Sequence, residues 1–312
     1  MAKVELTQLI ESGAHFGHLT RRWNPKMKQY IFMEKNGIHI IDLKKTQNAL
    51  EYAAQKMNEI VSSGKKVLFV GTKKQAKSVM ADEARRSESF WVTERWLGGM
   101  LTNFSTIRKS VKRLQNIDKM ETDGTFEKIT KKEILHISRE RDKLRKVLEG
   151  IENMNRIPGA MFIVDIKKES IAMKEALRLN IPIFAIVDTN CDPDDVDYVI
   201  PSNDDAVRAI ELISKTLSDT IIEGNKKAKE LKAEEVAEKE RQKKQREEEA
   251  VSEKKEGKGR IRKVKFDDKG AKKSDKVRKV EVDEKNEKPA GETPKAEESS
   301  TPKEEKKEEN KK

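Results

Sequence analysis

Residues 161–187 read MFIVDIKKESIAMKEALRLNIPIFAIV. Two unbroken apolar runs, Met161 to Val164 and Ile183 to Val187, flank a segment, Ser170 to Leu179, whose apolar residues recur at helical spacing. Runs this short and this apolar read as strands buried on both faces. Strands joined through a helix lie parallel, and a parallel sheet has helices on both faces.

The same rhythm extends toward the N-terminus. Ile38 to Ile41, Val67 to Val70 and Phe90 to Val92 read as further buried strands, with helix-period segments at Gln47 to Val61 and Gln75 to Arg86 between them. Alternating strand and helix predicts an open, doubly wound α/β sheet. One interval breaks the pattern. Residues 105–151 carry two helical patterns separated by Glu121 to Thr125, where Asp123-Gly124 marks a turn. Ile107, Val111, Leu114 and Ile117 form one apolar seam; Ile134, Ile137, Leu144, Leu148 and Ile151, interrupted by Arg141, form the other. The expectation is an antiparallel coiled-coil hairpin inserted into the sheet domain. A last helix is expected from about Asp204-Asp205 through Val207, Ile210, Leu217 and Ile221 to a stop at Gly224-Asn225. The domain plan is therefore a sheet domain of residues 1–104 and 152–225, the hairpin at 105–151, and a tail at 226–312. That tail is almost wholly Lys, Glu, Ala, Gln, Ser and Pro, too polar to offset the entropy of ordering, and disorder is expected there, with transient helix possible over residues 226–250.

Charge is uneven along the 312 residues. Net charge is +11; residues 1–113 hold 21 basic against 10 acidic side chains, whereas residues 181–225 hold 2 against 10. The front of the chain attracts polyanions. Cys191 is the single cysteine, so no internal disulfide can form, and a reducing compartment, the cytoplasm, fits. Met1 to Ile10 has no cleavable apolar core, and no run reaches the ~20 apolar residues of a membrane helix, so neither export nor a membrane partner is expected.

Gly13 to Tyr30 alternates cations with aromatics. Arg21, Arg22, Lys26 and Lys28 could neutralise phosphates, and Trp23 and Tyr30 could stack on bases. The same aromatics could instead pack on the sheet. Gly71 to Lys77, with Lys73, Lys74 and Lys77, follows a strand and opens a helix, a place that favours a phosphate, but it matches neither G-x-G-x-x-G nor the G-x-x-x-x-G-K-[ST] loop. Arg108, Lys109, Lys112 and Arg113 make a cationic stripe opposite the first seam. Before it, Glu94 to Asn103 holds Arg95, Trp96 and the pair Gly98-Gly99, suggesting close backbone approach to something.

An enzyme reading rests on acids. Asp165 and Asp188 end apolar runs, and with Asp192, Asp194 and Asp195 they could hold Mg²⁺ beside Gly71 to Lys74; the Asp-rich loop fits a self-capped turn equally. No nucleophile or activating base can be assigned. His15 and His18 lie too far from Cys191 in sequence to argue for zinc, and polar packing is expected of both imidazoles.

Together Gly13 to Met27, Gly71 to Ala76, Glu94 to Asn103, Glu121 to Lys128, Phe162 to Glu169 and Pro182 to Asp205 resemble the family of the bacterial small-subunit ribosomal protein numbered two, over about residues 1–225. The resemblance implies a flavodoxin-like sheet with a coiled-coil hairpin and a non-enzymatic, ribosome-associated cytoplasmic protein without cofactor. It implies binding to small-subunit ribosomal RNA where head meets body. It also implies contact with other small-subunit proteins, including support for docking of the large multi-OB-fold ribosomal protein numbered one. The RNA-binding residues expected are Arg21, Arg22, Trp23, Lys26, Lys28, Lys73, Lys74, Lys77, Arg95, Arg108, Lys109 and Lys112. Two departures stand out: Ser202 where the family usually has Gly, and the long extension 226–312.

Overall fold

The computed structural model describes residues 4–124, 126 and 129–262. Residues 1–249 form one unit, which holds the sheets and core, and residues 250–312 form a second, helical in its described part. A short helix α1 (Leu6–Glu11) precedes three strands, β1 (Phe16–Leu19), β2 (Ile31–Lys35) and β3 (Ile38–Ile41), which form an antiparallel sheet in the order β1-β3-β2. Asn36 and Gly37, both at positive φ, make the tight turn between β2 and β3. Asn-Gly is the preferred pair where both turn residues need a left-handed backbone. Ile38–Ile41 thus does not belong to the parallel sheet, as its apolar run suggested. Only alternate residues, His39 and Ile41, are buried, the signature of a strand with one face covered.

The parallel sheet comprises β4 (Val67–Val70), β5 (Phe90–Val92), β6 (Ala160–Val164), β7 (Ile183–Val187) and β8 (Tyr198–Pro201), in the order β5-β4-β6-β7-β8. The strand β8 replaces Ile38–Ile41 as the fifth member. Side chains alternate between two cores. Val67, Phe69, Phe162, Val164, Phe184, Ile186 and Ile200 face one of them, filled by α2 (Leu43–Ser62), α3 (Lys77–Arg86) and α7 (Val207–Arg262). Leu68, Val70, Met161, Ile163, Ile183, Ala185 and Val187 face the other, filled by α4 (Phe104–Thr122), α6 (Ser170–Arg178) and the segment from Trp96 to Leu101. Helices therefore cover both faces, which is why these strands carry no polar alternation.

The two helical patterns of residues 105–151 fold as α4 and α5 (Lys131–Leu148), packed on each other. Ile107, Val111, Leu114 and Ile117 are buried as their spacing predicts; in α5 only Leu148 is buried, with Ile151 just beyond it. Ion pairs Arg113–Glu140 (3.2 Å) and Arg145–Asp118 (2.7 Å) tie the helices, and Arg141, the break in the seam, pairs with Glu121. Gly124 takes a left-handed φ, as an Asp-Gly turn requires.

Gly224-Asn225 does not stop the last helix, which continues to Arg262. Gly224 marks close packing: a Cβ there would lie 3.1 Å from Val61, so the glycine lets α7 approach α2. Asn225 donates to the Ser87 carbonyl at 3.0 Å, and Ala228 is still buried. Beyond it, Lys, Glu and Ala favour helix intrinsically. The expected disorder of residues 263–312 lies outside the described residues. Ser202 avoids left-handed backbone, so the departure from glycine costs no strain.

Candidate nucleic-acid interface

The N-terminal basic segment is fastened by the loop after β7. Asn24 N donates to the Thr189 carbonyl at 2.8 Å, and His18 N donates to Thr189 Oγ1 at 2.9 Å. Gly17 is required there, since a Cβ would sit 2.7 Å from Thr189 Cγ2 and 3.0 Å from the His39 carbonyl. The Asn24 side chain caps a 3-10 turn, Pro25–Tyr30, by accepting from Lys26 N at 2.9 Å.

The expected RNA-binding residues separate into two groups. Lys26 Nζ lies 2.8 Å from Asp192 and 2.5 Å from Asp194, and those carboxylates hold its ammonium well above the usual lysine range. Lys73 is largely buried among Asp204 (2.8 Å), Asp205 (2.7 Å) and Asp165 (3.4 Å); burial opposes its charge, but the carboxylates of Asp204 and Asp205 prevail and raise its pKa. Lys77 pairs with Glu94 at 2.8 Å, and the Arg108 guanidinium donates to the carbonyls of Glu152 and Met154. Trp23 is half-buried, its ring 5.1 Å from that of His39. By contrast Arg21, Arg22, Lys28, Lys74, Arg95, Lys109 and Lys112 are exposed and make no ion pair among the described residues. These seven cations are the free positive charges of the predicted set.

Three acidic residues do the positioning: Glu169 and Glu175, which sequence reading passed over, and Asp188, which it offered as a Mg²⁺ ligand. Glu169 Oε1 accepts from Thr72 N at 2.9 Å and from Thr72 Oγ1 at 2.5 Å, so a backbone N–H of the Gly71 to Lys77 loop already has an anion, the chain's own. Glu175, on α6, accepts five hydrogen bonds of 2.8–3.1 Å, from Trp96 Nε1, Gly99 N, Leu101 N, Thr102 N and Thr102 Oγ1. It is the partner that the Gly98-Gly99 loop approaches. Burial pushes the Glu175 carboxyl up, yet the bonds from Trp96 and the Thr102, Leu101 and Gly99 amides outweigh it and leave the pKa below normal. Asp188 accepts from Thr189 N and Oγ1 with one oxygen and meets His18 Nδ1 at 3.0 Å with the other. No local sequence pattern announces Glu169 or Glu175; only their place on the crossover after β6 does.

The acids offered as a Mg²⁺ site are exposed or engaged within the chain, Asp188 by Thr189 and His18. Asp192 and Asp194 hold Lys26, Asp195 faces solvent, and Asp165 holds Lys73. Cys191 is buried, and its thiol is pushed up to about 12 by burial and then by Asp165, so it is not a nucleophile at neutral pH. Burial and the nearby Asp188 raise Asp204 to about 7. His15 packs beside Phe16, ring centres 4.0 Å apart.

The family model for ribosomal protein S2 matches residues 9–224 of this chain. The chain belongs to the ribosomal protein S2 family. It is 61% identical over 233 residues to the small ribosomal subunit protein uS2 of Chlorobaculum parvum, covering 75% of this chain and 93% of that protein. It is 62% identical to the proteins of the same name from Chlorobaculum tepidum, over 71% of this chain and 89% of that one, and Chloroherpeton thalassium, over 72% and 89%. The S2 family is structural, not enzymatic, which agrees with an acidic loop spent on fastening its own N-terminal segment. The matched range ends where Gly224 meets α2 and leaves the extension outside it. No helix among the described residues is long and apolar enough to cross a membrane.

Proposed function

We propose that this chain is a structural component of the small ribosomal subunit that binds ribosomal RNA through Arg21, Arg22, Lys28, Lys74, Arg95, Lys109 and Lys112. The observation that carries this reading is the sorting of its cations. Within a family of ribosomal proteins, these seven charges have no internal partner among the described residues, while Lys26, Lys73, Lys77 and Arg108 hold the presenting segments in place. Trp23 contributes by stiffening the arm against His39. The protein acts in the cytoplasm, on the ribosome.

The finer architecture belongs to the same proposal. Sheet order β5-β4-β6-β7-β8 corresponds to the 2-1-3-4-5 order of flavodoxin-like folds. The seam of α4 with its cross-helix ion pairs supports a coiled-coil hairpin over residues 105–151 inserted between sheet segments 1–104 and 152–225. In this reading the protein sits where the head of the subunit meets the body, contacts other small-subunit proteins, and supports docking of the large multi-OB-fold protein numbered one.

Tagged full-length protein, sedimented from a lysate and washed at rising salt, should stay with the small-subunit fraction. Recovery only in the slow soluble pool would sink the reading. Changing Arg21, Arg22 and Lys28 to Glu should weaken RNA binding and flatten its log–log salt slope by roughly 2 to 3, at about 0.7–0.9 per phosphate contact. An unchanged slope would move the interface away from the N-terminal segment.

A further inference from the structure

Part of the acidic loop is not spent on fastening the N-terminal segment. Residues 192–197 hold four aspartates; Asp192 and Asp194 take Lys26, while Asp195 and Asp197 are exposed and make no ion pair among the described residues. Asp197 is held in place because its Oδ2 accepts from Ile183 N at 2.8 Å. Four carboxylates against one ammonium leave this loop negative at neutral pH. An RNA phosphate is repelled from it, whereas a cation is attracted.

Beside the loop lies a cavity of about 380 Å³ with aromatic walls. Tyr30 ends the 3-10 turn, Tyr52 stands on α2 and Tyr198 opens the edge strand β8; with Pro193, Asp194 and Asp197 they line the cavity, and no Lys or Arg does. Packing fixes the rings. Tyr198 stacks on Phe184 with ring centres 4.3 Å apart, and Tyr52 leans against Tyr198 at 5.8 Å. Tyr52 is nonetheless 55% exposed, a large amphipathic ring of the kind that interfaces use. The lysines that flank it on α2 are turned to other acceptors, Lys45 to the Gln29 carbonyl and Lys56 to Glu59 at 2.8 Å.

We propose that this tyrosine-walled, acid-rimmed cavity receives an arginine side chain from a basic segment of a neighbouring protein of the small subunit. The chemistry of the walls selects the guest. Aromatic faces attract cations, arginine most often, and a guanidinium is flat and weakly hydrated, so it can lie against Tyr52 while its N–H groups meet Asp194 or Asp197. A lysine ammonium is more strongly hydrated and gives up more on entering. Arginine and tyrosine are also the side chains that most often anchor protein interfaces. The identity of the partner as a subunit protein rests on the ribosomal role proposed for the chain; the preference of the cavity for arginine does not.

The test titrates the full-length protein with three Gly/Ser-rich peptides of one sequence that carry arginines, lysines or citrullines at the same positions; citrulline keeps the shape of arginine and lacks its charge. At physiological salt the arginine peptide should bind saturably, the lysine peptide more weakly and the citrulline peptide not at all. Tyr52→Ala alters an exposed side chain, and Asp197→Asn keeps a carbonyl for Ile183 N, so both variants should fold; each should weaken the arginine peptide by roughly three- to thirtyfold. Asp195→Asn, an acid of the same loop outside the cavity, should leave the affinity within about twofold. In assembled subunits a photoreactive benzoylphenylalanine in place of Tyr52 should cross-link to an arginine-bearing protein segment. Equal binding of the arginine and citrulline peptides, an unchanged affinity in Tyr52→Ala, or a cross-link to RNA alone or to nothing overturns the proposal. Arginine-selective binding by a protein that fails to sediment with the small subunit would refute the ribosomal role and leave the cavity's preference standing.

Discussion

Replacing Glu175 by Gln removes a charge and half of an acceptor while keeping the side chain's shape. In the native arrangement Oε1 serves Trp96 Nε1 and Gly99 N, and Oε2 serves Leu101 N, Thr102 N and Thr102 Oγ1. A glutamine can direct its carbonyl at only one of these sets, and its NH₂ then faces donors. With the carbonyl on Trp96 and Gly99, the buried Leu101 amide loses a charged acceptor. The two Thr102 groups, on an exposed residue, recover water. At roughly 1.5–3 kcal/mol for a hydrogen bond to a charged group and about 0.5–1 for each replaced by water, the loss is about 3 kcal/mol. For a domain of this size that is about 6–12 °C in melting temperature. Urea unfolding should show a lower midpoint with an unchanged slope, and amide exchange should accelerate at Gly99, Leu101 and Thr102. A loss below about 1 kcal/mol with unaltered exchange at those amides would refute the claim that Glu175 holds the loop carrying Arg95.

The same carboxylate predicts an acid response. Its pKa is lowered in the folded protein, so its stabilisation is complete above the unfolded value of roughly 4.3 and disappears as pH falls through the lower folded value. Urea midpoints of the wild type and Glu175→Gln should therefore converge as pH drops from about 5 towards 3, and a constant gap would contradict the assignment. Two glycines separate steric from conformational cost. Gly150→Ala would place a Cβ 2.0 Å from the Trp91 carbonyl oxygen and should cost about 3 kcal/mol or more. Gly37→Ala meets nothing within 4 Å and should lose only the ~1 kcal/mol of a left-handed backbone; equal melting losses in the two variants would remove the distinction.

The parallel sheet was legible because burial on both faces removes polar residues from a strand, and Val67–Val70, Ala160–Val164 and Ile183–Val187 are buried throughout. The same criterion misassigned Ile38–Ile41, whose burial alternates although its composition does not. Asn36-Gly37 just before it was the available signal for a hairpin. Strand β8 escaped because Tyr198 and Val199 at the sheet edge are half-buried and Pro201 closes the run. Gly224 misled for a third reason. A glycine reads as a helix stop when only local conformation is considered, whereas here it answers to Val61, far away in sequence and 3.1 Å from where its Cβ would be.

The candidate interface was legible as a charge and not as a surface. Lys26 and Lys28 are two residues apart with the same side chain, yet one is bound to Asp192 and Asp194 and the other is exposed. The partner that separates them is 166 residues distant. Lys73 and Lys74 divide in the same way, one enclosed by Asp165, Asp204 and Asp205 and its neighbour outside. A parallel sheet brings the ends of β4, β6, β7 and β8 to one edge, where open α/β folds receive their ligands. In this chain Glu169 takes the Thr72 amide, Lys73 fills the space among the aspartates, and Thr189 holds the N-terminal segment across the opening. A substrate would have to displace these groups, each already paired. The edge that would be a cleft in an enzyme is therefore a fastening for the N-terminal arm. Acids concentrated in residues 181–225 follow from that: they anchor part of the basic front of the chain and leave the rest of its positive charge facing outward.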